Sequence, residues 1–136
     1  MFWKISPRAK RFFAGPCDKG RERSSGMPRT ELVLILSTFP EESLATETIG
    51  LLLGEGLIAC GSILPGLRSI YLWKGKVEES HEVQVILKTT VNLRDRCMER
   101  LGALHPYEVP EIVAVDPSAV SGPYADWIRE SLSPVP

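Results

Sequence analysis

From Leu57 to Thr90 the chain holds little except strand signals broken by turns, and this stretch constrains the fold more than any other. Ile70, Tyr71, Leu72 and Trp73 follow in succession, and Gly75 breaks the run between Lys74 and Lys76. Val83, Val85 and Leu87 then alternate with Glu82, Gln84, Ile86 and Lys88. The pattern predicts one long hairpin, with a bend or bulge at Pro65-Gly66. Strands of this length exceed the usual run of about five or six residues, and a two-stranded ribbon is marginal alone in water. The outer part, apolar on both sides near Tyr71 and Trp73, should therefore pack against another subunit.

The flanking segments complete the architecture. Leu32-Val33-Leu34-Ile35-Leu36 is apolar on both faces, which predicts a strand central in its sheet, ended by Ser37-Thr38-Phe39-Pro40. Proline is tolerated in a first helical turn and Glu41 and Glu42 complement the positive end of the helix dipole, so a helix should run to about Glu55. Leu44, Ile49, Leu52 and Leu53 form its expected core face, with Gly54 and Gly56 at its end. Leu57-Ile58-Ala59-Cys60 begins the return strand. Asn92 is the expected cap of a second helix through Leu104, whose apolar face is Leu93, Cys97, Leu101 and Leu104. Ile112 to Val115 reads as a short strand, and Ser121 or Gly122 opens a last helix carrying Tyr124, Trp127, Ile128 and Leu132. The order β-α-β-β-α-β-α predicts an α+β, ferredoxin-like split βαβ sandwich, with four antiparallel strands and helices on one face. Its open face must be covered, which favours self-association.

Charge divides the 136 residues unevenly. Residues 1–26 hold seven Lys and Arg against two acids, and the rest hold nine against fifteen. Residues 1–27 read as a basic leader, disordered or lying upstream of a true start at Met27; an organellar presequence is the alternative, opposed by Pro7, Gly15 and Pro16. Residues 28–136 form the domain. Its acidic balance lacks the basic footprint of a nucleic-acid binder. No apolar run approaches the roughly 18–20 residues of a membrane span. Cys17, Cys60 and Cys97 are odd in number and widely spaced, which fits a reduced, cytoplasmic compartment.

His105-Pro106-Tyr107-Glu108-Val109-Pro110-Glu111 carries the chemistry. Each proline biases the residue before it away from the α region, so the segment should be extended and rigid. Imidazole and thiolate suit copper or zinc, which makes His105, Cys60 and Glu108 the candidate metal ligands, with His81 and Glu82 as further contributors. Glu82 and Lys88 share one face of a strand. With Tyr107 and Trp73, beside His105, they are expected to line a cleft between subunits able to take a small anion or metabolite. The plainer alternatives are a packed His105 ring, buried structural thiols, and aromatics that serve the interface. A glycine-rich phosphate loop, a nucleophile elbow and HExxH spacing are missing from the sequence, so no enzyme is predicted.

Taken together, Ala59-Cys60, Ser69-Ile70-Tyr71 with Trp73, Gly75-Lys76, Glu82-Val83, Lys88-Thr89, His105-Pro106-Tyr107-Glu108, Pro110-Glu111, and Tyr124 with Trp127 resemble the CutA family of divalent-cation tolerance proteins. The likeness runs in order from residue 31 to 132. It implies a ferredoxin-like subunit in a homotrimer whose hairpins pair, a response to metal ions, and binding of copper or another divalent cation. Trimers of this shape also resemble P-II signalling proteins, so a small-ligand sensor or scaffold without a metal site is the alternative. Copper-linked members carry a cysteine near the end of the first strand and two histidines before Pro-Tyr; here Ser37 and Leu104-His105 occupy those places.

Overall fold

The structure, a computed structural model, describes residues 30–133, so the basic leader lies outside the described residues. Its elements are β1 (Leu32–Phe39), α1 (Glu42–Gly54), β2 (Cys60–Trp73), β3 (Lys76–Thr90), α2 (Arg94–Leu104), β4 (Val113–Val115) and α3 (Gly122–Leu132). They form one four-stranded antiparallel sheet of order β2-β3-β1-β4. This is the expected split βαβ arrangement. β1 is central, and it continues past Leu36 to Phe39, where Pro40 has no N–H to continue the ladder.

One face of the sheet is the core. Val33, Ile35 and Phe39 stand opposite Thr89, Leu87 and Val83 in register, and these apolar side chains cluster with Val85 beneath the helices. From α1 come Ala45, Ile49 and Leu52, and from α2 come Cys97 and Leu101. Burial of several such side chains, each contributing about 1.5–3 kcal/mol, is what holds helices to sheet. The contact is close at Gly61, where an added Cβ would lie 2.8 Å from Ile49 Cγ2.

Two local expectations are corrected. The buried stripe of α1 runs through Ala45, Thr48, Ile49 and Leu52, which is the i, i+3, i+4, i+7 spacing. Leu53 falls beside that stripe and is 44% exposed. Asn92 does not cap α2; Leu93 is the N-cap residue, without a side-chain cap. A backbone turn closes the corner instead, Leu93 N–H donating to Thr90 O at 3.1 Å. At the other end Ser121 is extended, a proline opens α3, and Ile128 is buried.

The Pro65-Gly66 irregularity decides which side chains meet. Leu64 pairs with Gln84 but Leu67 pairs with Glu82, so β2 carries one extra residue there. Gly66 supplies the required positive φ of 80°. Because side chains alternate along a strand, the insertion exchanges the faces of β2. Before the bulge, Cys60 and Ser62 share the open face with Lys88 and Ile86. Beyond it, Leu67, Ser69, Tyr71 and Trp73 share that face with Glu82 and Ser80. Ile70, Leu72 and Val77 consequently lie on the opposite side of the arm, beyond the end of β1, and are exposed.

Candidate functional site

His105 follows the last residue of α2 with extended dihedrals of −69° and 137°, as the proline after it demands. Its ring is 1% exposed, lying 4.3 Å from the Phe39 ring and 4.9 Å from that of Tyr107. Nε2 lies 2.8 Å from the Thr38 carbonyl, and Nδ1 lies 3.1 Å from the Tyr107 amide. A carbonyl only accepts and an amide only donates, so the partners assign the proton to Nε2 and the lone pair to Nδ1. Both nitrogens are thus engaged within the chain.

The same segment delivers Tyr107 to the arm. Its hydroxyl donates to Glu82 Oε2 at 2.6 Å, and Ser80 Oγ lies 3.5 Å from Oε1 of the same carboxylate. Tyr107 and Glu82 are each 4% exposed. Burial, then the hydrogen bond and charge of Glu82, push the phenol well above its ordinary range, so it remains a proton donor.

A second polar group sits further along β3. Lys88 Nζ donates to Ser62 Oγ and, at 3.5 Å, to Cys60 Sγ, with 4.0 Å between that sulfur and the hydroxyl. Leu34 stands opposite Lys88 on its other side, followed by Val115 of β4.

The structure therefore divides the candidate residues differently from the sequence. It brings Glu82, Tyr107 and His105 together, and it groups Cys60 with Lys88. Gln84, opposite Thr38, and Lys88, opposite Leu34, are four residues apart on β3, about 13 Å at the usual rise. Cys60 and His105 belong to separate ends of that span, and Glu108 is exposed. Among the described residues, no three His, Cys, Asp or Glu side chains are placed to hold a metal ion. Trp73 closes β2 near the arm tip, where the Lys74 ammonium lies 5.5 Å from its ring, and His81 is exposed opposite Arg68. Ser62 was missed, although alternation from Cys60 places it on the same face. A cavity of about 590 Å³ opens between Thr30, Glu31, Thr90, Val91, Arg129 and Leu132, and none of the candidate residues lines it.

An α+β sandwich with this strand order and an over-long central hairpin defines the ferredoxin-like class with an arm. Residues 33–131 match the model of the CutA1 divalent ion tolerance proteins, and the chain belongs to that family. The divalent-cation tolerance protein CutA of Citrobacter koseri is 38% identical over 111 residues, spanning 82% of this chain and 96% of the relative. Among solved structures, CutA of Xylella fastidiosa superposes with a TM-score of 0.73 at 38% identity, covering 76% of this chain and 99% of that one. The divalent cation tolerance protein of Thermus thermophilus gives 0.70 at 43% identity, covering 74% and 97%.

Proposed function

We propose that the chain serves tolerance of divalent cations as a homotrimer in which the β2–β3 arms of neighbouring subunits pair. The arm supports this reading: Ile70, Leu72 and Val77 are 58%, 74% and 72% exposed on a ribbon only two strands wide. Apolar strips of that kind mark interfaces. Copper or another divalent cation is met at the boundary between subunits, through the exposed Glu108 carboxylate and groups of a neighbouring chain. His105 positions that segment, since binding a cation would require it to give up the Tyr107 amide. The free Cys60 and Cys97 thiols support a cytoplasmic setting. Calorimetric titration of the full chain with Cu²⁺ and Zn²⁺ tests the cation site. E108Q should weaken binding about tenfold or more, and His105→Ala should reduce stability rather than affinity. Unchanged affinity in E108Q would overturn it.

A second reading, a trimeric sensor of a small anion or metabolite, is favoured by one observation. Lys88 meets only neutral acceptors among the described residues.

A further inference from the structure

We propose that Lys88, Ser62 and Cys60 form the anchoring subsite for a small oxyanion, a phosphate or a carboxylate. This rests on the small-ligand reading and names its ligand class. The antiparallel register places the three side chains on the open face, Cys60 directly opposite Lys88 and Ser62 opposite Ile86. The Lys88 ammonium reaches across to both neighbours, so its position is set by two contacts rather than by solvent.

The donor inventory suits an anion. An ammonium carries three N–H donors, and two are engaged here, on a hydroxyl and a thiol. Each of those acceptors has a proton of its own to offer. Cys60 and Ser62 also meet each other at 4.0 Å, which engages one of those two protons. One N–H and one of the O–H and S–H protons therefore remain for a ligand that only accepts.

Charge points the same way. Lys88 is half-buried, it has no carboxylate partner among the described residues, and its sheet neighbours include Leu34 and Ile86. Apolar surroundings screen weakly, so a negative group placed there gains more than it would in water. A positive charge 3.5 Å from the Cys60 sulfur repels a metal cation from the same place. Cys60, grouped by the sequence with His105 as a metal ligand, is thus held by the fold in an anion-attracting setting.

The test uses the full chain at low ionic strength, titrated by calorimetry with inorganic phosphate and, separately, with succinate. Chloride at matched ionic strength is the control. Iodoacetamide labelling of Cys60 locates the ligand, and the buried Cys97 serves as the unreactive internal standard. Phosphate or succinate should slow labelling of Cys60, and the more protective probe identifies the oxyanion class. Lys88→Met should weaken binding about tenfold or more, the size expected for losing a charge-assisted hydrogen bond, whereas Lys88→Arg should stay within about threefold. Ser62→Ala, a milder change, should weaken binding severalfold. Equal affinity in wild type and Lys88→Met would remove the subsite while leaving the small-ligand reading intact. If neither anion binds the wild type, both fall. Loss of the assembly in Lys88→Met without anion binding by the wild type would assign Lys88 to an ion pair between subunits, which also overturns the proposal.

Discussion

Replacing Tyr107 by phenylalanine removes one hydroxyl and little else. That hydroxyl donates a 2.6 Å hydrogen bond to Glu82, and both residues are buried. Hydrogen bonds to charged groups contribute about 1.5–3 kcal/mol, and the loss is not softened by water when the acceptor is shut away. Ser80 is a poor substitute at 3.5 Å. Tyr107→Phe should therefore lower stability by about 2–3 kcal/mol near pH 8, read from urea midpoints at one fixed chain concentration, because assembly makes stability concentration-dependent. The pH dependence follows from the raised phenol. Folding raises the Tyr107 pKa above its ordinary 10.0, so the neutral phenol's contribution is full below that value and declines as pH rises past it. Tyr107→Phe has no such proton, and the gap between the two proteins should narrow above about pH 10. Glu82→Gln, which keeps a carbonyl acceptor, should lose less than Glu82→Ala. A gap under about 0.5 kcal/mol near pH 8, or one that widens in alkali, would refute the reasoning.

Three further outcomes are expected. Ser37 Oγ is fully buried with no hydrogen-bond partner among the described residues, so Ser37→Ala should be neutral or stabilise by up to about 1 kcal/mol in the same assay. Burial pushes the Cys97 thiol up to about 12, so the native thiol stays protonated past its ordinary 9.0, and its contribution to stability is full below 9.0 and declines from there to about 12. Mass-mapped alkylation of the native protein near neutral pH should therefore label Cys60 and leave Cys97 unmodified until unfolding. Gly61→Ala forces a methyl to 2.8 Å from Ile49 Cγ2 and should lower stability by about 1–3 kcal/mol, with the loss smaller in an Ile49→Ala background, which removes the γ and δ carbons it would meet.

Periodicity made much of this fold legible. An all-apolar Leu32–Leu36 run marks a strand flanked on both sides, and alternation from Val83 to Lys88 marks which residues face the helices. Leu53 and Asn92 escaped for opposite reasons. A helix stripe is narrower than a count of leucines suggests, and backbone turns from Leu93 and Arg94 N–H to Thr90 and Val91 O stand where a side-chain cap was expected. The site was harder to read because His105 answers to the Thr38 carbonyl and the Tyr107 amide, and backbone atoms leave no trace in residue identity. Cys60 meets Lys88 only once the register across β2 and β3 is known, and the Pro65-Gly66 bulge resets that register for everything toward the arm tip. The bulge itself was visible as a Pro-Gly pair. Which face Tyr71 and Trp73 would share with Glu82 was not.

The boundary site proposed above requires a second copy covering the apolar side of the arm. Sedimentation equilibrium of the full chain at micromolar concentration, beside Leu72→Asp/Val77→Asp, measures that directly. Both substituted positions are exposed in the subunit, so the variant should fold. The wild type should run at three times the chain mass of 15.1 kDa and the variant at a single chain mass. A monomeric wild type at that concentration would contradict the assembly and the boundary site with it.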